Sequence, residues 1–90
     1  MMSGYCYADE RERVFTEDGQ KIFLKIRDNT KGLLASAGAF TVENAMKGVT
    51  GDTWQMLACI DRLAELGEIR LVSDEGWTQG HVYAGGPHRA

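Results

Sequence analysis

The sequence predicts a small α+β domain in which three helices precede a β-hairpin. Three observations predict it. Apolar residues recur at helical spacing in three stretches before Gly67, and two alternating runs separated by a glycine-containing turn follow it. The 90 residues, 43% of them apolar, suffice for one core and leave no room for a second.

Residues 1–14 form a polar and aromatic lead-in ending in Asp9-Glu10-Arg11-Glu12-Arg13, expected to be flexible unless something docks it. The domain proper is expected over 15–85, and 86–90, with the single proline, as a flexible tail. The first element runs from about Thr16 to Ala37, with its helical body within 20–36. Placing residues every 100° sets Phe15, Ile22, Phe23, Ile26, Leu33 and Leu34 on one face, away from Lys25, Asp28 and Lys31. Thr16 suits an N-cap, and Glu17 and Asp18 suit the first turn. Asp18-Gly19 is also a hairpin-turn dipeptide, so residues 13–26 read either as a helix start or as a hairpin.

Gly38-Ala39-Phe40 leads to a short helix capped by Thr41, with Val42, Ala45, Met46 and Val49 at i, i+3, i+4 and i+7. Thr50-Gly51-Asp52 breaks it and offers a new cap. From Thr53 to Leu66 a third helix places Met56, Leu57, Cys59, Ile60, Leu63, Ala64 and Leu66 on one half of the wheel. Trp54, Ala58, Asp61, Arg62 and Glu65 fall on the other, and Gly67 stops the helix. Residues 68–73 and 80–84 read as paired strands around a turn containing Gly76.

A short helix, a tight glycine-containing turn and a second amphipathic helix form a helix-turn-helix, and the hairpin after it makes it a winged one. Over about residues 20–85 the chain resembles the winged helix-turn-helix superfamily. The likeness is carried by Phe40-Thr41-Val42-Glu43, Val49-Thr50-Gly51-Asp52-Thr53 and Leu63-Ala64-Glu65-Leu66-Gly67-Glu68-Ile69. Within the superfamily it is loosely similar to small bacterial regulators of fimbrial operons. The resemblance implies a sequence-specific transcriptional regulator of bacterial or phage type, with 53–66 as the recognition helix in the major groove of double-stranded DNA. Its implied contacts are Lys47, Thr53, Trp54, Gln55, Ala58 and Arg62. Gln55 suits adenine's N6 and N7 edge, Arg62 guanine or phosphate, and Thr53 a phosphate. Such regulators usually dimerise; Tyr5, Tyr7, Val14 and Phe15 supply the most apolar candidate surface for a homodimer.

The charges oppose this. The net charge is −3, and residues 40–66 hold Lys47 and Arg62 against Glu43, Asp52, Asp61 and Glu65. Phosphate neutralisation supplies most of the affinity of ordinary DNA binders. The one basic concentration, Lys21, Lys25, Arg27 and Lys31, lies on the first helix. Trp54 and Trp77, bordered by acids, suit an alternative: a winged-helix module that binds a basic protein partner through Trp54, Asp61, Glu65 and Trp77.

No catalytic grouping is present. His81 and His88 lack a Ser or Cys nucleophile at a usable spacing, Cys59 reads as a core residue, and Cys6 stands alone. No paired-cysteine, HExxH, EF-hand or phosphate-loop pattern occurs, so neither a metal nor another cofactor is expected. With no secretory signal, no run of about 18 apolar residues and two cysteines, the chain reads as a cytoplasmic non-enzyme away from membranes.

Overall fold

The computed structural model describes residues 5–86. Four α-helices, α1 (Tyr7–Glu10), α2 (Glu17–Ala37), α3 (Val42–Met46) and α4 (Thr53–Glu65), pack with three strands, β1 (Ala39–Thr41), β2 (Ile69–Ser73) and β3 (Val82–Gly85). The result is a small α+β fold with an antiparallel sheet in the order β1-β3-β2.

The α2 segment is helical throughout, which removes the hairpin alternative for residues 13–26. Its cap explains why: the Thr16 hydroxyl accepts from the Gly19 amide at 3.0 Å, with Glu17 and Asp18 in the first turn. Thr41 caps α3 in the same way through the Asn44 amide at 3.2 Å. That helix ends at Met46, so Val49 lies beyond it. In the turn to α4, Gly51 has φ 144, and a Cβ there would lie 2.8 Å from Ile22 Cδ1. At the far end of α4, Gly67 at φ 81 closes a Schellman motif. Its amide donates to Ala64 O, and the Glu68 amide donates to Leu63 O, both at 3.0 Å.

Residues 39–41, expected as connection, form β1 and pair with β3. The register sets Phe40 opposite Tyr83, and their rings stack at 5.9 Å. In the β2–β3 hairpin a register shift between Leu71 and Ser73 leaves Val72 as a bulge. The turn between the strands contains a 3₁₀ segment, Thr78–Gly80.

Ile26, Ile60, Leu63, Ile69, Val14 and Val42 are the largest fully buried side chains, each contributing about 1.5–3 kcal/mol by leaving water. Val14 belongs to the lead-in, and the structure shows residues 5–14 docked, the condition under which order was expected. Tyr7–Glu10 is α-helical, Arg11–Phe15 is a 3₁₀ turn, and both pack on α4. Phe15, placed on the core face by the wheel, is 48% exposed because it precedes the helix the wheel assumed. Residues 1–4 of the lead-in and 87–90 of the tail lie outside the described residues. Gly86 is held by its amide, which donates to Glu68 O at 3.1 Å.

Candidate functional site

The position of α4 governs every functional expectation. Its apolar stripe meets α2 and the hairpin, as the periodicity requires, but the opposite side meets residues 5–15. All six residues from Gln55 to Ile60 are consequently buried. Ala58, expected at a DNA groove, is fully buried. Gln55 is also inside, with its Nε2 donating to Arg13 O at 3.0 Å. Ala58 is closed to a base edge in this arrangement, which corrects that expectation, and Gln55 reaches the surface only where it lines a hollow with Lys21, Lys25 and Asp52. The physical reason is that the lead-in packs along the polar half of the wheel and closes its middle, leaving Trp54 and Glu65 exposed.

The cover is built from complementary polar pairs. The Tyr5 hydroxyl donates to Asp61 Oδ2, and Tyr7 donates to Glu65 Oε1 at 2.7 Å. Arg11 Nε donates to both Glu65 oxygens at 3.1 Å, and Arg13 pairs with Asp52 at 2.6 Å. Arg62, expected to reach DNA, donates to Glu65 Oε1 at 2.9 Å, and its guanidinium lies 5.0 Å from the Phe15 ring centre. Arg11 stands over the same ring at 5.1 Å. Trp54 packs edge-on against Tyr5, with 6.4 Å between ring centres, and stays 38% exposed.

Two of the four residues expected to meet a protein partner, Asp61 and Glu65, are therefore bonded to this chain's own lead-in, and Trp54 packs on it. Three of the four apolar residues offered for a homodimer are likewise used internally, Val14 being fully buried and Tyr5 and Tyr7 bonded to α4, while Phe15 stays 48% exposed.

These contacts move the titrations. The Tyr7 hydroxyl, then Arg62 and Arg11, hold the Glu65 carboxyl down at about 2. Burial pushes the Asp61 carboxyl up, against the Tyr5 and Tyr83 hydroxyls and His81, which favour its charged form. Desolvation and the neighbouring carboxylates raise Tyr7 and Tyr83 to about 12. Burial alone raises the Cys59 thiol to about 12, consistent with a core residue rather than a nucleophile.

Two lysine-lined hollows and the hairpin are among the open parts of the surface. Lys21 and Lys25 line a shallow hollow with Thr50, Gly51 and Asp52, beside exposed Thr53. Lys47 is exposed after α3 and lines a separate hollow with Asp28 and Asn29. On the hairpin, Leu71 is 47%, Val72 55% and Trp77 78% exposed. Between the hairpin and α4 lies a pocket of about 250 Å³. Leu57, Ile60 and Leu71 form apolar parts of its wall, and Asp61, Asp74, His81, Tyr5 and Tyr83 its polar and aromatic parts.

Sequence reasoning missed the lead-in's role. The available signal was the match between Tyr5, Tyr7, Arg11 and Arg13 and three acids, Asp52, Asp61 and Glu65, that lie on or next to one helix. Among the described residues, no group of three or more His, Cys, Asp or Glu side chains is placed to hold a metal ion, and no helix is long and apolar enough to cross a membrane. No protein-family model, curated protein or solved structure matches this chain.

Proposed function

We propose that the chain is a winged-helix protein-interaction module whose contact surface is the hairpin wing. The element order supports the winged-helix part: α2, β1, α3 and α4 followed by a hairpin, with β1 completing the sheet beside β3. One observation carries the functional part. Residues 5–15 pack along the outward side of α4, where Gln55 and Ala58 are buried and Thr53, Trp54 and Glu65 stay exposed, while the hairpin presents Leu71, Val72 and Trp77 to solvent. Large exposed apolar side chains beside acids anchor protein interfaces more readily than DNA grooves. Asp74 and Glu75 lie in the wing turn, and residues 71–86 contain no Lys or Arg. The partner is a protein with a basic, apolar patch.

A second reading, the sequence-specific DNA-binding regulator, keeps one observation in its favour. Lys21 and Lys25 flank the turn before α4, where Thr53 is open and backbone amides suit a phosphate.

Two measurements decide between them. Affinity chromatography with the wild type and a folded Leu71→Ala/Trp77→Ala variant should retain a protein on the first column and lose it on the second. Fluorescence anisotropy with mixed-sequence duplex DNA at about 50 mM salt should show no binding, because phosphate contacts are strongest there. Tight duplex binding that weakens steeply with salt, or identical proteins on both columns, defeats the protein-binding reading.

A further inference from the structure

We propose that the pocket between α4 and the wing receives an arginine or lysine side chain of the partner, with Asp61 and Asp74 taking its cationic head. This rests on the protein-binding reading above and names the anchor within it.

The shape and chemistry of the pocket agree. Its volume of about 250 Å³ falls below the roughly 300–1,000 Å³ of sites for drug-sized ligands, and so fits one side chain. Leu57, Ile60 and Leu71 offer apolar wall to a methylene stem, which basic side chains bury while keeping their charge at a polar end. Tyr5 and Tyr83 add aromatic wall beside the two carboxylates. Two carboxylates line the pocket, and no Lys or Arg does.

Asp61 differs from the other acids of α4 in this respect. Glu65 is met by Arg11 and Arg62, and Asp52 by Arg13, whereas Asp61 is met by no Lys or Arg: its hydrogen bonds come from tyrosine hydroxyls, with His81 nearby. An ionised carboxylate has about four acceptor positions, so two hydroxyls leave room for a guanidinium. The pocket opens beside Leu71, which is half exposed, so a basic side chain entering it brings its flanking residues onto the apolar wing.

The test uses the full chain and butylguanidinium, with uncharged butyramide as its control, followed by NMR of the His81 and Tyr83 rings. Butylguanidinium should give saturable shifts at both rings, and butyramide at equal concentration should give none. Asp61→Asn, which keeps an acceptor for the tyrosines, should weaken binding about tenfold or more, the loss expected for a charge-assisted hydrogen bond. Should that variant fail to fold by circular dichroism, Asp74→Asn in the exposed turn carries the same test with a smaller loss. A short peptide bearing one arginine between two leucines should bind more tightly than butylguanidinium, because the wing adds apolar contact.

Equal shifts with butyramide, or unchanged affinity in both variants, overturn the proposal. A peptide no tighter than the free cation overturns the partner as its source and points to a small amine instead. If butylguanidinium leaves both rings unmoved while the wing variant still loses its partner, the pocket assignment fails and the protein-binding reading stands.

Discussion

Replacing Gly19 by alanine should destabilise the protein, although the same change within a helix usually stabilises it. Alanine is favoured over glycine in a helix interior by about 1 kcal/mol. Gly19 lies in the first turn of α2 and is buried, and a Cβ there would sit 1.9 Å from Arg13 O and 2.7 Å from Val14 O. Both obstacles are backbone, so the Arg11–Phe15 turn has to move by more than an ångström. That movement draws fully buried Val14 from the core, at about 1.5–3 kcal/mol. It also loosens the bonds from Gln55 Nε2 and Thr16 Oγ1 to Arg13 O, at about 1 kcal/mol each. Partial relaxation and the propensity gain leave a net loss of about 2 kcal/mol, which lowers the urea midpoint by roughly 1–2 M. Gly32 is the internal control: it sits exposed in the same helix with nothing within 4 Å of its Cβ position, so Gly32→Ala should raise the midpoint. Chemical denaturation followed by circular dichroism reads both. A Gly19→Ala protein as stable as the wild type refutes the claim that the lead-in is a fixed part of the fold.

Thr16→Ala removes both the α2 cap and a hydroxyl bond to Arg13 O, and should cost about 1–2 kcal/mol by the same denaturation assay. Thiol titration should find the exposed Cys6 reactive in the native protein and Cys59 reactive only after unfolding, because burial raises the Cys59 thiol to about 12. Acid should destabilise the fold through Glu65. Its folded value of about 2 lies below its ordinary value of 4.5, so its contribution is complete above that ordinary value and is lost as pH falls toward 2. Asp61 has the opposite sign, since a raised carboxyl favours the folded state as it protonates. Glu65→Gln should therefore flatten the acid limb of a stability–pH curve between about 4.5 and 2, and an unchanged limb excludes the Glu65 cluster as its source.

The helical elements were legible because their signals are local. Thr16 and Thr41 cap where their spacing places them, and Gly67 ends α4 in the left-handed conformation a Schellman motif requires. What was illegible depends on distant pairing. β1 has only three residues and exists because β3 lies beside it, with Phe40 finding Tyr83 from 43 positions away in the chain. The lead-in gave the wrong impression for the same reason. Its alternating acids and arginines read as solvated chain, and only the Asp61–Glu65 side of α4, about 55 residues on, turns them into a docked segment. Helical periodicity sorts α4 into apolar and polar halves, but a polar half is not a solvent-facing half once another segment supplies the complementary donors. That is why Ala58 and Gln55 were assigned to a groove and are buried instead.

The acid excess of residues 40–66 acquires a different meaning once its partners are known. Asp52 meets Arg13, and Glu65 meets Arg11 and Arg62, so two of the four acids are neutralised within the chain. The charge that appeared to repel DNA from α4 serves to hold the cover over α4. Removing that charge would therefore not convert the helix into a groove reader; it would first loosen the lead-in. Of the other two acids, Glu43 is exposed on α3 and Asp61 lines the pocket with Asp74, which stands beside Glu75 in a hairpin stretch without Lys or Arg. A duplex docked on this fold through its hairpin brings phosphates against those carboxylates, whereas a basic, apolar polypeptide brings the opposite charge and covers Leu71, Val72 and Trp77 in the same contact. The electrostatic case for the proposed protein partner thus rests on the hairpin, because the acids of α4 are engaged by the lead-in.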